Sequence, residues 1–110
     1  MIEKFLEKIK TELDIDSAEH HFDQNPKLPY VTWERPQSNN FFADGIVYFA
    51  SGTVEVLLHT AKRQRGLETK VEKILKSLYI PWEKTVEWDD GENVFIITYT
   101  MEEGGKGSVS

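Results

Sequence analysis

The residues nearest to metal chemistry are Glu19-His20-His21-Phe22-Asp23, with His59 as the third histidine of the chain. A catalytic zinc ion usually takes three protein ligands in fixed geometry, often from helical spacing such as H-E-x-x-H. Adjacent histidines point in divergent directions, and this pair stands in a stretch without helical or strand period. A solvated linker is the plainer reading, and no metal is expected. Asp89-Asp90-Gly91-Glu92-Asn93 has the composition of a calcium loop but lacks the D-x-D-x-D-G spacing and the glutamate at the twelfth position. Asp-Gly tolerates the backbone of a tight turn, so a hairpin fits better. There is no cysteine, no G-x-S-x-G nucleophile motif and no G-x-x-x-x-G-K phosphate loop. Paired carboxylates are plentiful, but their placement in a pocket is not a property of sequence, so glycosidase chemistry is neither supported nor excluded. No catalytic residue and no cofactor is assigned.

Two features suit contacts with other proteins. Lys62-Arg63-Gln64-Arg65 concentrates three positive charges on an otherwise acidic chain. It is too short, and too poor in aromatics, for a nucleic-acid patch. It reads either as an exposed strand-to-helix connector or as a docking surface for an acidic partner, through Lys62, Arg63 and Arg65. The second feature is aromatic content: three Trp, four Tyr and six Phe. Trp33, Trp82 and Trp88 fall in strand-like runs and suit core packing, while some aromatics are expected at interfaces, where they are enriched. Phe41 and Phe42, set among polar residues, are the expected exposed anchor.

Elements that would carry these residues follow from periodicity. Ile2, Phe5, Leu6, Ile9 and Leu13 recur at spacings of three and four and predict a helix with one buried stripe. Residues 14–29 lose all period and read as a loop rich in Asp, Asn and Pro. Tyr30-Val31-Thr32-Trp33 predicts a short strand. Ile46 to Ala50 is apolar throughout and predicts a central strand. Ser51-Gly52 would turn it into Thr53 to Thr60, making a hairpin. Leu67, Val71, Ile74, Leu75 and Leu78 predict a second helix, ended by Pro81. Trp82, Val86 and Trp88 alternate with polar residues, and Val94 to Met101 returns from the Asp-Gly turn. The order is α-β-β-β-α-β-β, an α+β domain of mainly antiparallel sheet packed by two amphipathic helices, over residues 1–102. Residues 103–110 are expected as a flexible tail.

Length and charge bound the rest. At 110 residues the chain fits one domain. Its net charge of −6 repels phosphate backbones, which argues against a nucleic-acid-binding module. No apolar run is long enough to span a bilayer, and Met1-Ile2-Glu3-Lys4 does not open like a signal peptide.

The stretch Leu28-Pro29-Tyr30-Val31-Thr32-Trp33, the run from Gly45 to Thr60, the helix around Leu67-Glu68-Thr69-Lys70-Val71-Glu72-Lys73-Ile74-Leu75, and Phe95-Ile96-Ile97-Thr98-Tyr99-Thr100-Met101-Glu102 together resemble small tail-completion proteins of long-tailed bacteriophages and prophages, the tail terminator or head–tail joining family. That resemblance implies an α/β fold assembling as a hexameric ring on the end of the tail tube. Such a ring stops tube polymerisation and connects the tail to the head-completion or connector protein. It implies a virion location at the neck, assembly in the host cytoplasm, DNA passage without specific binding, no membrane partner and no catalytic residues. Ring formation needs unlike patches on neighbouring copies, for which the sheet edges and residues 34–45 are the expected places. Two other classes stay open: a small α+β module binding a small molecule or peptide, and a small hydrolase or transferase with an unrecognised site.

Overall fold

A computed structural model describes residues 2–23, 26–35 and 52–103. The N-terminal stripe forms α1 (Ile2–Lys8), which buries Ile2 and Phe5 and continues into one π-helical turn over Ile9–Leu13. The sequence period predicted an unbroken α-helix to Leu13. The wider turn still places Ile9 in the core, and it stops where Asp14 adopts φ 58° and its N–H reaches the Lys10 carbonyl at 3.0 Å. Lys10 then bonds Asp16 at 2.7 Å, fixing the exit of the chain.

Among the described residues five strands follow: β1 (Ser17–Glu19), β2 (Tyr30–Glu34), β3 (Gly52–Thr60), β4 (Glu83–Asp89) and β5 (Val94–Glu103). They form one sheet in the order β1-β2-β3-β5-β4, in which β1 and β2 run parallel and every other neighbouring pair is antiparallel. The α+β class and the two flanking helices are as the sequence indicated. The loop expected over residues 14–29 is corrected, because it contains β1. Ser-Ala-Glu has no apolar alternation, and the segment is a strand because its backbone bonds to β2, beginning with Val31 N–H to Asp16 O at 3.0 Å. β3 pairs with β5 along all of Gly52–Thr60 and with β2 through Glu55–His59. The strand expected over Ile46–Ala50, the anchor pair Phe41 and Phe42, and the tail beyond Glu103 lie outside the described residues.

Helix α2 (Arg65–Ser77) lies on one face of the sheet. It starts two residues earlier than its apolar stripe suggested, so Arg65 belongs to the helix and not to the connector. The helix ends in a paired-bond cap: Tyr79 N–H bonds Lys76 O and Ile80 N–H bonds Leu75 O, both at 3.0 Å. This geometry requires a left-handed residue, and Tyr79 takes it at φ 59° where glycine is the usual occupant. Buried Ile80 packs back toward the core and Pro81 prevents continuation.

The core lies between the helices and one sheet face. Alternation sends Val31, Val54, Val56, Leu58, Ile97, Tyr99 and Met101 inward against Ile2, Phe5, Ile9, Val71, Ile74 and Leu75. Trp33 and Trp82 pack half-buried against this cluster, in line with a structural role. Trp88 does not share it, being 46% exposed on the sheet edge. The opposite, open face carries Tyr30, Thr32, Glu55, Leu57, His59, Ile96 and Thr98.

Candidate functional site

The open face holds a cavity of about 290 Å³, lined by His20, His21, Phe22, Tyr30, His59 and Asp89 among others. The antiparallel register sets Tyr30 directly opposite His59, and the two rings stack at 4.4 Å. Phe22 meets Tyr30 edge-on at 5.4 Å. Thr32 Oγ1 and His59 Nε2 share a hydrogen bond of 2.9 Å. Burial pushes the His59 imidazole below its ordinary range, against an opposing pull from Asp89, so the ring is neutral at pH 7. A hydroxyl and an imidazole at this distance have the spacing of a nucleophile and its base. Thr32, however, is only 7% exposed. The bond satisfies two polar groups in a packed layer at the wall of the cavity.

The three histidines line this one cavity without sharing a ligand geometry. His20 sits at φ 67°, with its N–H bonded to Trp33 O at 2.8 Å, and its ring lies 3.5 Å from Glu34 and 3.8 Å from Glu19. Among the described residues no three His, Asp or Glu side chains are placed to hold a metal ion. The acidic turn is a hairpin turn: Asp89 Oδ1 accepts from Gly91 N–H at 2.9 Å, and Asn93 N–H, at φ 57°, bonds Asp89 O at 2.7 Å.

A second cluster forms where the connector, α2 and β4 meet on the helix side. Glu68 is 2% exposed and receives both arms of Arg63, Nε at 3.0 Å and Nη2 at 3.1 Å. Lys84 from β4 bonds Glu68 at 2.9 Å and Glu72 at 2.7 Å, and the Tyr99 hydroxyl donates to Glu72 at 2.9 Å. Burial works to raise the Glu68 carboxyl, but the bonds from Arg63 and Lys84 outweigh it and hold the group below the usual carboxylate range. Burial and the Glu72 carboxylate push the Tyr99 phenol upward, keeping it a donor. Each charge here is answered by another, so the cluster acts as a clamp between elements distant in sequence.

These contacts divide the basic connector. Arg63 is spent on Glu68, while Lys62 and Arg65 stand exposed on the surface. The structure thus separates the three cations that the sequence grouped, and leaves Lys62 and Arg65 as the accessible ones. Sequence reading missed Glu68, although a signal existed: Glu68 stands three residues before Val71 and seven before Leu75, on the buried stripe of α2. A charged residue on an apolar stripe must be paired.

The third feature is β4 itself. It is an edge strand, exposed at every position from Glu83 to Trp88. Trp88 packs edge-on against Phe95 at 4.8 Å, and its indole N–H bonds Asp90 at 2.6 Å, which holds the ring upright on the edge. Compared with known proteins, the chain finds no family model that matches it and no curated protein that matches it.

Proposed function

We propose that this chain is a tail-completion protein of a long-tailed bacteriophage or prophage. In this reading, copies form a ring at the end of the tail tube, stop its polymerisation and join it to the head connector. The observation that carries the proposal is the open β4 edge, seven residues long with Val86 and Trp88 exposed. An edge of this length is a contact surface for another chain. The charge cluster around buried Glu68 supports the same reading, since Arg63, Glu68, Lys84 and Glu72 bond one another and so brace the domain that carries the edge. The chain acts through contacts and not through catalysis. It belongs at the neck of the virion after assembly in the host cytoplasm, and DNA passes the ring without being read.

The experiment is made on tails assembled with and without the protein. Labelled protein is expected at one end of each tail, and tails made without it are expected to overgrow or fail to join heads. Tails of normal length that join heads in its absence would remove the reading. The open-face cavity favours a second reading, a small module that holds a ligand against Tyr30 and His59. A chain found free of particles, whose Tyr30 and His59 signals shift with a small molecule, would support that alternative.

A further inference from the structure

Edge recognition at β4 has a definite chemistry. The strand's seven residues span about 23 Å at the usual rise. Its register with β5 sorts the side chains onto two flanks. Val86 and Trp88 stand beside Ile97 and Phe95 on the helix-covered side, 37% and 46% exposed. Glu83, Thr85, Glu87 and Asp89 stand beside Thr100, Thr98, Ile96 and Val94 on the open side. Lys84, the one cation of the strand, is drawn inward to Glu68 and Glu72. One flank of the edge is therefore apolar and the other presents three carboxylates.

An unguarded edge invites copies of the same chain, and charges placed along it are a common defence. Here the carboxylates repel a second β4. Antiparallel registers that keep the covered faces on one side set Glu87 against Glu87, or Glu83 against Glu87 or Asp89. Like charges directly opposite destabilise a strand pair. Among the described residues the other edge is β1, three residues long and ending in Glu19, so it offers no complement either. The same carboxylates that disfavour pairing with a second β4 select a partner segment of opposite charge.

We propose that β4 accepts an extended segment of a partner protein in which Lys or Arg alternates with aliphatic or aromatic residues. The cations would lie against Glu83, Glu87 and Asp89, and the apolar side chains against Val86 and Trp88. Main-chain hydrogen bonds supply the affinity of such a complex, and the alternating side chains supply its specificity.

The test uses the full chain and two capped probe peptides of about nine residues, one alternating lysine with valine and the other glutamate with valine. Hydrogen exchange should show new protection of β4 amides with the lysine peptide, weakening as salt is raised, and none with the glutamate peptide. A double variant, Glu83→Lys with Glu87→Lys, changes two exposed side chains. It should keep its melting midpoint while reversing the preference between peptides by about tenfold or more. Equal binding of both peptides, protection confined to other strands, no protection at millimolar peptide, or an unchanged preference in the double variant would each overturn the proposal. So would self-association of the wild-type chain by pairing of β4 with β4. This recognition does not depend on the tail reading: peptide binding alongside normal tails in the protein's absence would keep the former and remove the latter.

Discussion

Replacing Glu68 by Gln removes one negative charge while nearly preserving volume, and so isolates what the carboxylate contributes. In the wild type that carboxylate is 2% exposed and takes two bonds from Arg63 and one from Lys84, between 2.9 and 3.1 Å. Glutamine can still accept from one cation, but its amide NH₂ would face the other. Removing one member of a fully sealed ion pair costs about 3–5 kcal/mol, because the remaining charge is stranded. Here the stranded cations are not sealed: Arg63 is 29% exposed, Lys84 is 31% exposed, and Lys84 keeps Glu72 at 2.7 Å. Water and Glu72 recover part of the loss, which brings the expected cost of Glu68→Gln to about 2 kcal/mol. For a domain of this size that lowers the melting midpoint by about 8 °C. The Glu68 carboxyl is held below its unfolded value, so its contribution is complete above the ordinary carboxylate pKa. It is lost as pH falls through the folded one. Urea unfolding of both proteins at pH 7 and at steps down to about pH 3.5 should therefore show a gap that narrows in acid. A gap under about 0.5 kcal/mol at pH 7, or one that stays constant with pH, would refute the clamp.

Three further outcomes follow from single side chains. Thr60 Oγ1 is buried without a hydrogen-bond partner, so the isosteric Thr60→Val should stabilise the fold by about 1 kcal/mol in urea unfolding; a loss of stability would show that the hydroxyl is satisfied. Tyr79 holds a left-handed backbone while 92% exposed, so Tyr79→Gly should raise the melting midpoint by about 2–4 °C, and a fall would mean the ring packs. His59 is held neutral by burial, with a folded pKa below its unfolded one. Its contribution is present above about pH 6.5 and lost as pH falls through the folded value, so His59→Gln should flatten stability between pH 7 and 5. An identical slope in wild type and variant would remove His59 from the acid response.

Much of the fold was legible because it rests on local pattern. The stripe from Leu67 to Leu78, the turn at Asp89 to Asn93 and the alternation along Val54, Val56 and Leu58 each declare an element without help from elsewhere. What escaped rests on contacts made at long range. Ser17–Glu19 is a strand through its backbone bonds to β2, and its side chains carry no sign of them. Glu68 looks like an ordinary helix-surface glutamate until Lys84 arrives from a strand sixteen positions on (84 − 68). His59 was visible as a lone histidine, but its partners Tyr30 and Thr32 come from β2, and no spacing rule connects them. Of the expected contact residues, Arg63 proved to be committed inside the domain, a fate that depends on the burial of its partner.

The parallel pairing of β1 and β2 sets how the molecule opens. Two neighbouring strands that run the same way must be joined by chain that travels back along the sheet. On that return, His20, His21, Phe22 and Pro26 come to line the open-face cavity with Thr32, Leu57 and Ile96. One end of the domain thus has a third layer, which is why Thr32 is buried on a face that neither described helix covers. Lifting β1 strips this layer and wets the Thr32–His59 pair in the same event. The ladder from Gly52 to Glu103, bolted to α2 through Glu68 and Lys84, loses no partner when that happens. The layer carried by β1 and the chain that follows it can therefore open locally while β2, β3 and β5 keep their ladders.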